Sequence, residues 1–167
     1  MVSSTLLLTE KQIDQRINRI AYQIYEDNSA ESEIILAGIV QSGYQVAEML
    51  QSVLKKLAPF SVRMVEVRMD KHSQVNREIE LSIPLAELNG KSIVLVDDVL
   101  NSGKTLMYAL KPFLAADIKK IRTVVLVNRN HTRYPVAGDF VGLTLATTLQ
   151  EHVTVEFGNG KASAWLK

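Results

Sequence analysis

Two apolar residues separate the adjacent acids Asp97 and Asp98 from the polar run Asn101-Ser102-Gly103-Lys104-Thr105. Paired carboxylates can receive sugar hydroxyls, directly or through Mg²⁺, which favours carboxylates and retained water. Asp97 and Asp98 are therefore the candidate catalytic and metal-binding groups, directly or through water. The polar run has the composition of a turn that opens a helix. Unpaired backbone N–H groups and the positive end of the helix dipole make such a turn an anion site. Gly103 lets the backbone approach an anion closely, and the hydroxyls of Ser102 and Thr105 add donors. Asn101 to Thr105 thus form a candidate phosphate cradle beside a diol or metal site, and a sugar phosphate needs both. Taken singly, Asp-Asp can simply end a strand and Ser-Gly-Lys-Thr can simply cap a helix. The ordered combination is more specific. It is not a P-loop, because that pattern needs glycine five residues before Gly103, where Asp98 stands.

The flanking elements must hold these groups in place. Ile93 to Val96 is a continuous apolar run, which suits a parallel strand covered on both faces. A helix from Thr105 to about Ala116 follows, with Pro112 as a possible kink. Upstream, Glu33 to Val40 reads as a buried strand. It ends in Gln41-Ser42-Gly43 and feeds an amphipathic helix from Tyr44 to about Leu57, making a second anion turn. Ile121 to Val127 is another buried strand. Thr9 to Asp27 is an amphipathic helix opened by a capping box of Thr9 and Gln12, with Ile13, Ile17, Ile20, Ala21 and Ile24 inward. Ser61 to Met69 alternates as a strand, and a polar excursion separates it from the strand-like segment beginning at Ile79. His152 to Phe157 alternates cleanly, and Ala162 to Leu166 reads as a last edge strand. Alternating strands and helices at this spacing predict one α/β domain with an open, twisted, mainly parallel sheet flanked by helices. Ligands in such sheets bind beyond the carboxyl ends of the strands.

Composition narrows the classes. At 167 residues, 22% charged and 47% hydrophobic, the chain has the balance of a single globular domain. A net charge of +1 gives no general footprint for nucleic acid. The absence of cysteine excludes disulfides and thiolate chemistry. No apolar run reaches the ~20 residues of a membrane span. With no basic region before the first apolar run, the simplest expectation is a cytoplasmic protein without a membrane partner.

The stretch VLVDDVLNSGKT closely resembles the phosphoribosyl-pyrophosphate motif of type I phosphoribosyltransferases. The resemblance runs roughly from Leu8 to Phe157 and is greatest for the bifunctional pyrimidine-operon attenuator/uracil phosphoribosyltransferase group. It implies transfer of phosphoribosyl from phosphoribosyl pyrophosphate to a nucleobase, with Mg²⁺ as cofactor. By this likeness GIVQSG is the pyrophosphate loop, with Val40, Gln41, Ser42 and Gly43 as its binding residues. The family commonly carries a cation where Val40 or Ser42 stands here. Arg68, with Lys71, His72 and Arg77, could supply cations from a flexible loop at about 69–83. LVNRNHTRYPVAGDFVG resembles the base-binding segment, so Asn128, Phe140 and Val141 would contact the base within a hood of about 128–150. A homodimer or higher homo-oligomer is also implied.

Uracil is the expected base. Many purine members carry an acid where Asn101 stands and a lysine where Asn128 stands, and Asn101 cannot ionise to serve as a base. Three alternatives stay open. One is a hypoxanthine or guanine transferase. Another is a pyrimidine-responsive RNA-binding attenuator with Lys11, Arg16, Arg19, Arg129, His131 and Arg133 as its few basic contacts. The third is a nucleotide-binding protein without turnover. RNA is the weaker partner, because Thr132, Ala137 and Leu143 fall where those relatives tend to be basic.

Overall fold

A computed structural model describes residues 3–70 and 78–167. In chain order the elements are β1 (Thr5–Leu8), α1 (Glu10–Asp27), β2 (Glu33–Ile39), α2 (Ser42–Leu57), β3 (Ser61–Met69) and β4 (Ile79–Leu81). A 3-10 turn at Leu85–Leu88 precedes β5 (Ser92–Leu100), α3 (Lys104–Leu114), β6 (Lys120–Asn128), β7 (Phe140–Thr144), β8 (Val153–Gly158) and β9 (Lys161–Leu166). Lys71, His72 and Arg77 lie outside the described residues.

The central sheet has six strands in the order β4-β3-β2-β5-β6-β7. All neighbours in it are parallel except the antiparallel pair β3–β4. The apolar run in β5 shows why. Val94 and Val96 pack into the core shared with α1 and α2, while Ile93 and Leu95 pack into the core beneath α3. A strand covered on both faces has no reason to alternate. Burying each such side chain contributes roughly 1.5–3 kcal/mol. Strand β2 behaves alike, with Ile34 and Leu36 on one side and Ile35, Ala37 and Ile39 on the other.

Helix α1 begins as its capping box predicts: Thr9 N donates to Gln12 Oε1 at 2.9 Å and Gln12 N to Thr9 Oγ1 at 3.3 Å. The five expected inward residues are its buried ones. Its end is tied to the start of β5 through buried groups, since Asn28 Nδ2 donates to Ile24 O and Ser92 Oγ donates to Asn28 Oδ1 at 2.6 Å. Helix α2 starts two residues earlier than Tyr44, at Ser42, and Pro112 falls in the last turn of α3. Strand β5 runs on through both acids to Leu100, so they belong to the strand rather than to the turn after it.

A second, three-stranded antiparallel sheet has the order β1-β9-β8. It corrects two expectations. The segment Ala162 to Leu166 is central in this sheet, because Thr5–Leu8 pairs along its other side and the small residues Ala162 and Ala164 are buried. The segment 128–150 does not form a hood of its own, because Phe140–Thr144 pairs with β6 in the central sheet. The sheet formed by the two ends of the chain is what reaches β5, through β8. No helix among the described residues is long and apolar enough to cross a membrane.

Candidate active site

The turns after β2, β5 and β6 meet at the carboxyl end of the sheet. Asp97 is 4% exposed, and its Oδ1 accepts from the Asp98 backbone N–H at 2.9 Å. Asp98 is half-buried, and its Oδ1 accepts from the Val99 N–H at 2.8 Å. The turn after β2 comes up against the first acid. A β-carbon on Gly43 would stand 2.6 Å from Val96 O and 3.2 Å from Asp97 Oδ1. Gly43 is thus required for the first turn of α2 to lie on β5 beside the carboxylate. Gly38 is required for a similar reason, since a β-carbon there would meet the Tyr44 backbone at 2.5 Å. The loop passes through a cis peptide between Val40 and Gln41. Burial, followed by the charges of Glu48 and Glu66, pushes the Tyr44 hydroxyl up, so it stays protonated.

Asp97 also lines a small cavity of about 40 Å³ together with Asn101, Ser102, Gly103 and Thr105. Ser102 Oγ accepts from Lys104 N at 3.2 Å. Gly103 also meets a packing requirement that the sequence does not show. It sits at φ +86° and is buried, and a β-carbon on it would meet Val136 Cγ1 at 2.6 Å. Its close neighbour is the chain at 134–136, which is held down by Arg133 N and Tyr134 N donating to Ser102 O. The acids, the turn at 40–43 and the turn at 101–105 therefore share one corner.

The Phosphoribosyl transferase domain family matches residues 3–158. The chain belongs to the type I phosphoribosyltransferase family. Among the transferase's relatives is the Bifunctional protein PyrR of Haemophilus ducreyi, 32% identical over 160 residues, covering 90% of this chain and 88% of that one. The protein of the same name from Macrococcus caseolyticus is 30% identical over 156 residues, covering 90% of each. The hypoxanthine phosphoribosyltransferase of Trypanosoma cruzi superposes with a TM-score of 0.76 at 20% identity, over 89% of this chain and 84% of that one. A hypoxanthine-guanine phosphoribosyltransferase of Bacillus anthracis gives 0.75 at 17%, over 89% and 86%. At those identities the two structures share the fold.

The transferase's remaining candidate residues divide. Arg68 lines the same groove as Val40, and its guanidinium pairs with Glu66 at 2.7 Å. Asn128 ends β6 opposite Leu100, one residue from Asn101. Phe140 and Val141 do not join this group. They pair with Val124 and Val125, which puts Phe140 four residues, or about 13 Å, short of Asn128 along the sheet. Phe140 packs against the α1–α2 core, and the carbonyls of Val141 and Gly142 accept from Arg19 Nη2 at 2.6 and 2.8 Å. Phe140 thus lies on a core strand, and one lone pair of the Val141 carbonyl is engaged by Arg19.

One residue that carries much of the site's order is read from the sequence only as a basic contact. Arg129 is 6% exposed. Its guanidinium donates to Asn101 Oδ1 at 2.9 Å, Thr147 Oγ1 at 3.0 Å, Thr148 O at 3.1 Å and Glu151 O. His131 adds a bond to Thr147 O. The connection from β7 to β8 is thereby bolted to the end of β6. The Thr148 backbone N–H, its hydroxyl and then the Arg129 charge hold the Glu151 carboxyl below its ordinary range. The sequence signal was an arginine directly after four buried apolar residues and one amide, a place where a cation needs several acceptors.

Among the described residues no group of three or more His, Cys, Asp or Glu gathers to hold a metal. Two neighbouring carboxylates, Asp97 and Asp98, are what the described residues offer at this corner. That suits Mg²⁺, which keeps waters and takes further oxygens from phosphates.

Proposed function

We propose that this transferase joins a nucleobase, with uracil preferred, to the phosphoribosyl group of phosphoribosyl pyrophosphate. A base nitrogen bonds to the anomeric carbon as the bond from that carbon to the pyrophosphate oxygen breaks. The nitrogen's proton passes to solvent or to the departing pyrophosphate. The observation that carries this reading is the shared corner, where Asp97 lies against the Gly43 turn and lines one small cavity with the turn at 101–105.

Catalysis here is positioning plus electrostatics rather than side-chain covalent chemistry. Asp98 receives ribose hydroxyls, and buried Asp97 fixes the strand end and the neighbouring turn. Backbone N–H groups at 102–105 and the Thr105 hydroxyl hold the 5-phosphate. The turn at 40–43 takes pyrophosphate with Arg68 at its rim. Bound Mg²⁺, held by Asp98 and Asp97 directly or through water, supplies charge neutralisation to the pyrophosphate. Two or more copies are expected to associate.

An RNA-binding attenuator is the weaker reading on two grounds. Arg129 is buried and Arg19 is engaged by backbone carbonyls, which withdraws two of the few cations that RNA phosphates need.

The test is pyrophosphate release from phosphoribosyl pyrophosphate and Mg²⁺ with single bases. Release with uracil supports the reading, and release only with hypoxanthine or guanine moves the transferase to purines. Salt-sensitive binding of a pyrimidine leader RNA without any release transfers the protein to the regulator class. Asp98→Asn should lower kcat/KM by roughly 10²-fold or more while the melting temperature stays put.

A further inference from the structure

Arg129 is a buried cation held by neutral oxygens, and among the described residues no carboxylate forms an ion pair with it. Its guanidinium faces two ways. Nη1 donates at 2.9 Å to Asn101 Oδ1, at the start of the phosphate turn. Nε and Nη2 donate to Thr147 Oγ1, Thr148 O and Glu151 O, in the connection from β7 to β8. That connection depends on the grip. Residues 145–152 contain no helix or strand, and Leu149 is 81% exposed. Leu145 N donates to Asn128 O where the segment leaves β7, and His152 pairs with Lys167 where it enters β8. Between those ends, Thr148 and Glu151 bond to each other. Every other hydrogen bond of residues 146–151 to the described chain goes to the side chain of Arg129 or His131. A stretch with so few fixed contacts lies at the low end of local stability.

We propose that Arg129 is a positioning residue that makes phosphate binding at 101–105 and ordering of residues 146–151 one coupled event. This deepens the transferase reading and rests on it. A sugar phosphate on the turn immobilises Asn101, and the guanidinium held at that end can no longer swing. Its bonds to Thr147, Thr148 and Glu151 then form at a lower entropic cost, so the segment tightens without touching the ligand. Such coupling is reciprocal, and a loosened segment must weaken phosphate binding by the same factor. Arginine suits the task because its planar fork fixes the directions of its donors, which the ammonium of lysine does not.

The experiment is hydrogen–deuterium exchange read by mass spectrometry, with saturating ribose 5-phosphate as the probe, on wild type and Asn101→Ala. Asn101 is exposed, and alanine there removes one acceptor from Arg129 while the other three stay. In wild type the ligand should slow exchange at 101–106 and also at 146–152, by roughly 5-fold or more at the second segment. In Asn101→Ala the slowing should persist at 101–106 and vanish at 146–152. A side chain that merely held the fold would shift exchange equally with and without ligand. Thr147→Val cuts the link from its other side and should weaken ribose 5-phosphate binding roughly 5-fold or more in calorimetry. Three results each overturn the coupling and leave the transferase reading standing: slowing confined to 101–106 in wild type, undiminished slowing at 146–152 in Asn101→Ala, or unchanged affinity in Thr147→Val. No slowing at either segment in wild type removes the phosphate site itself, and the coupling falls with it.

Discussion

Replacing Gly43 with alanine isolates the corner on which the transferase reading rests. Alanine is the better helix former, by up to about 1 kcal/mol in a helix interior, so propensity alone predicts a small gain. Packing opposes it. The new β-carbon would lie 2.6 Å from Val96 O and 3.0 Å from Asp97 Cα. Both neighbours are backbone of a strand buried on each face, so they cannot swing aside. Ordinary contact at 3.4 Å requires the first turn of α2 to lift by about 0.8 Å. Overpacking of this kind costs roughly 1–3 kcal/mol, which leaves a net loss of up to about 2 kcal/mol after a propensity gain of about 1 kcal/mol. For a chain of this length that is a drop of up to roughly 4–8 °C in Tm. Activity should suffer far more. Misplacing a substrate-holding group by about 1 Å can cost 10²-fold in rate, and this shift moves the 40–43 turn relative to Asp97. Calorimetry with steady-state pyrophosphate release separates the two effects. A variant with wild-type kcat/KM and a lowered Tm would refute the claim that the turn and the acid act as one unit.

Further outcomes follow from particular contacts. Arg19→Ala removes the donors to the Val141 and Gly142 carbonyls and should cost about 1 kcal/mol in urea unfolding. The KM for the base should not move, and a large rise would return Val141 to the base site. For Asp27, burial alone would raise its carboxyl, but hydrogen bonds from Lys120 and Arg122 outweigh burial and hold it low. A lowered folded value means the stabilisation is present at neutral pH and is lost as pH falls through that folded value. Asp27→Asn should be about 1 kcal/mol less stable at pH 7, with the gap closing in acid, as followed by urea unfolding against pH. A constant gap would show that the carboxylate charge is not what matters. Ser92→Ala leaves the buried Asn28 Oδ1 without its donor and should cost about 1–3 kcal/mol with little effect on catalysis.

What the chain discloses before folding is what short-range chemistry controls. Thr9 and Gln12 announce the start of α1 because a capping box is local, and Ile93 to Val96 announce a doubly covered strand because four apolar residues in a row have few other uses. The acids and the turn at 101–105 are legible for the same reason, since strand, acid pair and helix start lie within fifteen residues. The misread parts depend on distant partners. Nothing within Thr5–Leu8 reveals that it pairs with Leu166 and makes β9 a central strand. Phe140 looks like a stacking aromatic until the β6–β7 register puts it beneath α1. The packing demand on Gly103 is hidden too, because Val136, which fills the space beside it, lies thirty-three residues on. Arg129 resembles a surface cation until four acceptors from two segments close around it.

Pyrophosphate release from phosphoribosyl pyrophosphate, measured with Mg²⁺ and uracil in wild type beside Asp98→Asn, bears most directly on the function assigned to this corner. Uracil-dependent release in wild type that falls by roughly 10²-fold in a fully folded variant is the predicted result. Undiminished release in Asp98→Asn would remove Asp98 from the reaction, and no release by wild type with any base would contradict the assignment itself.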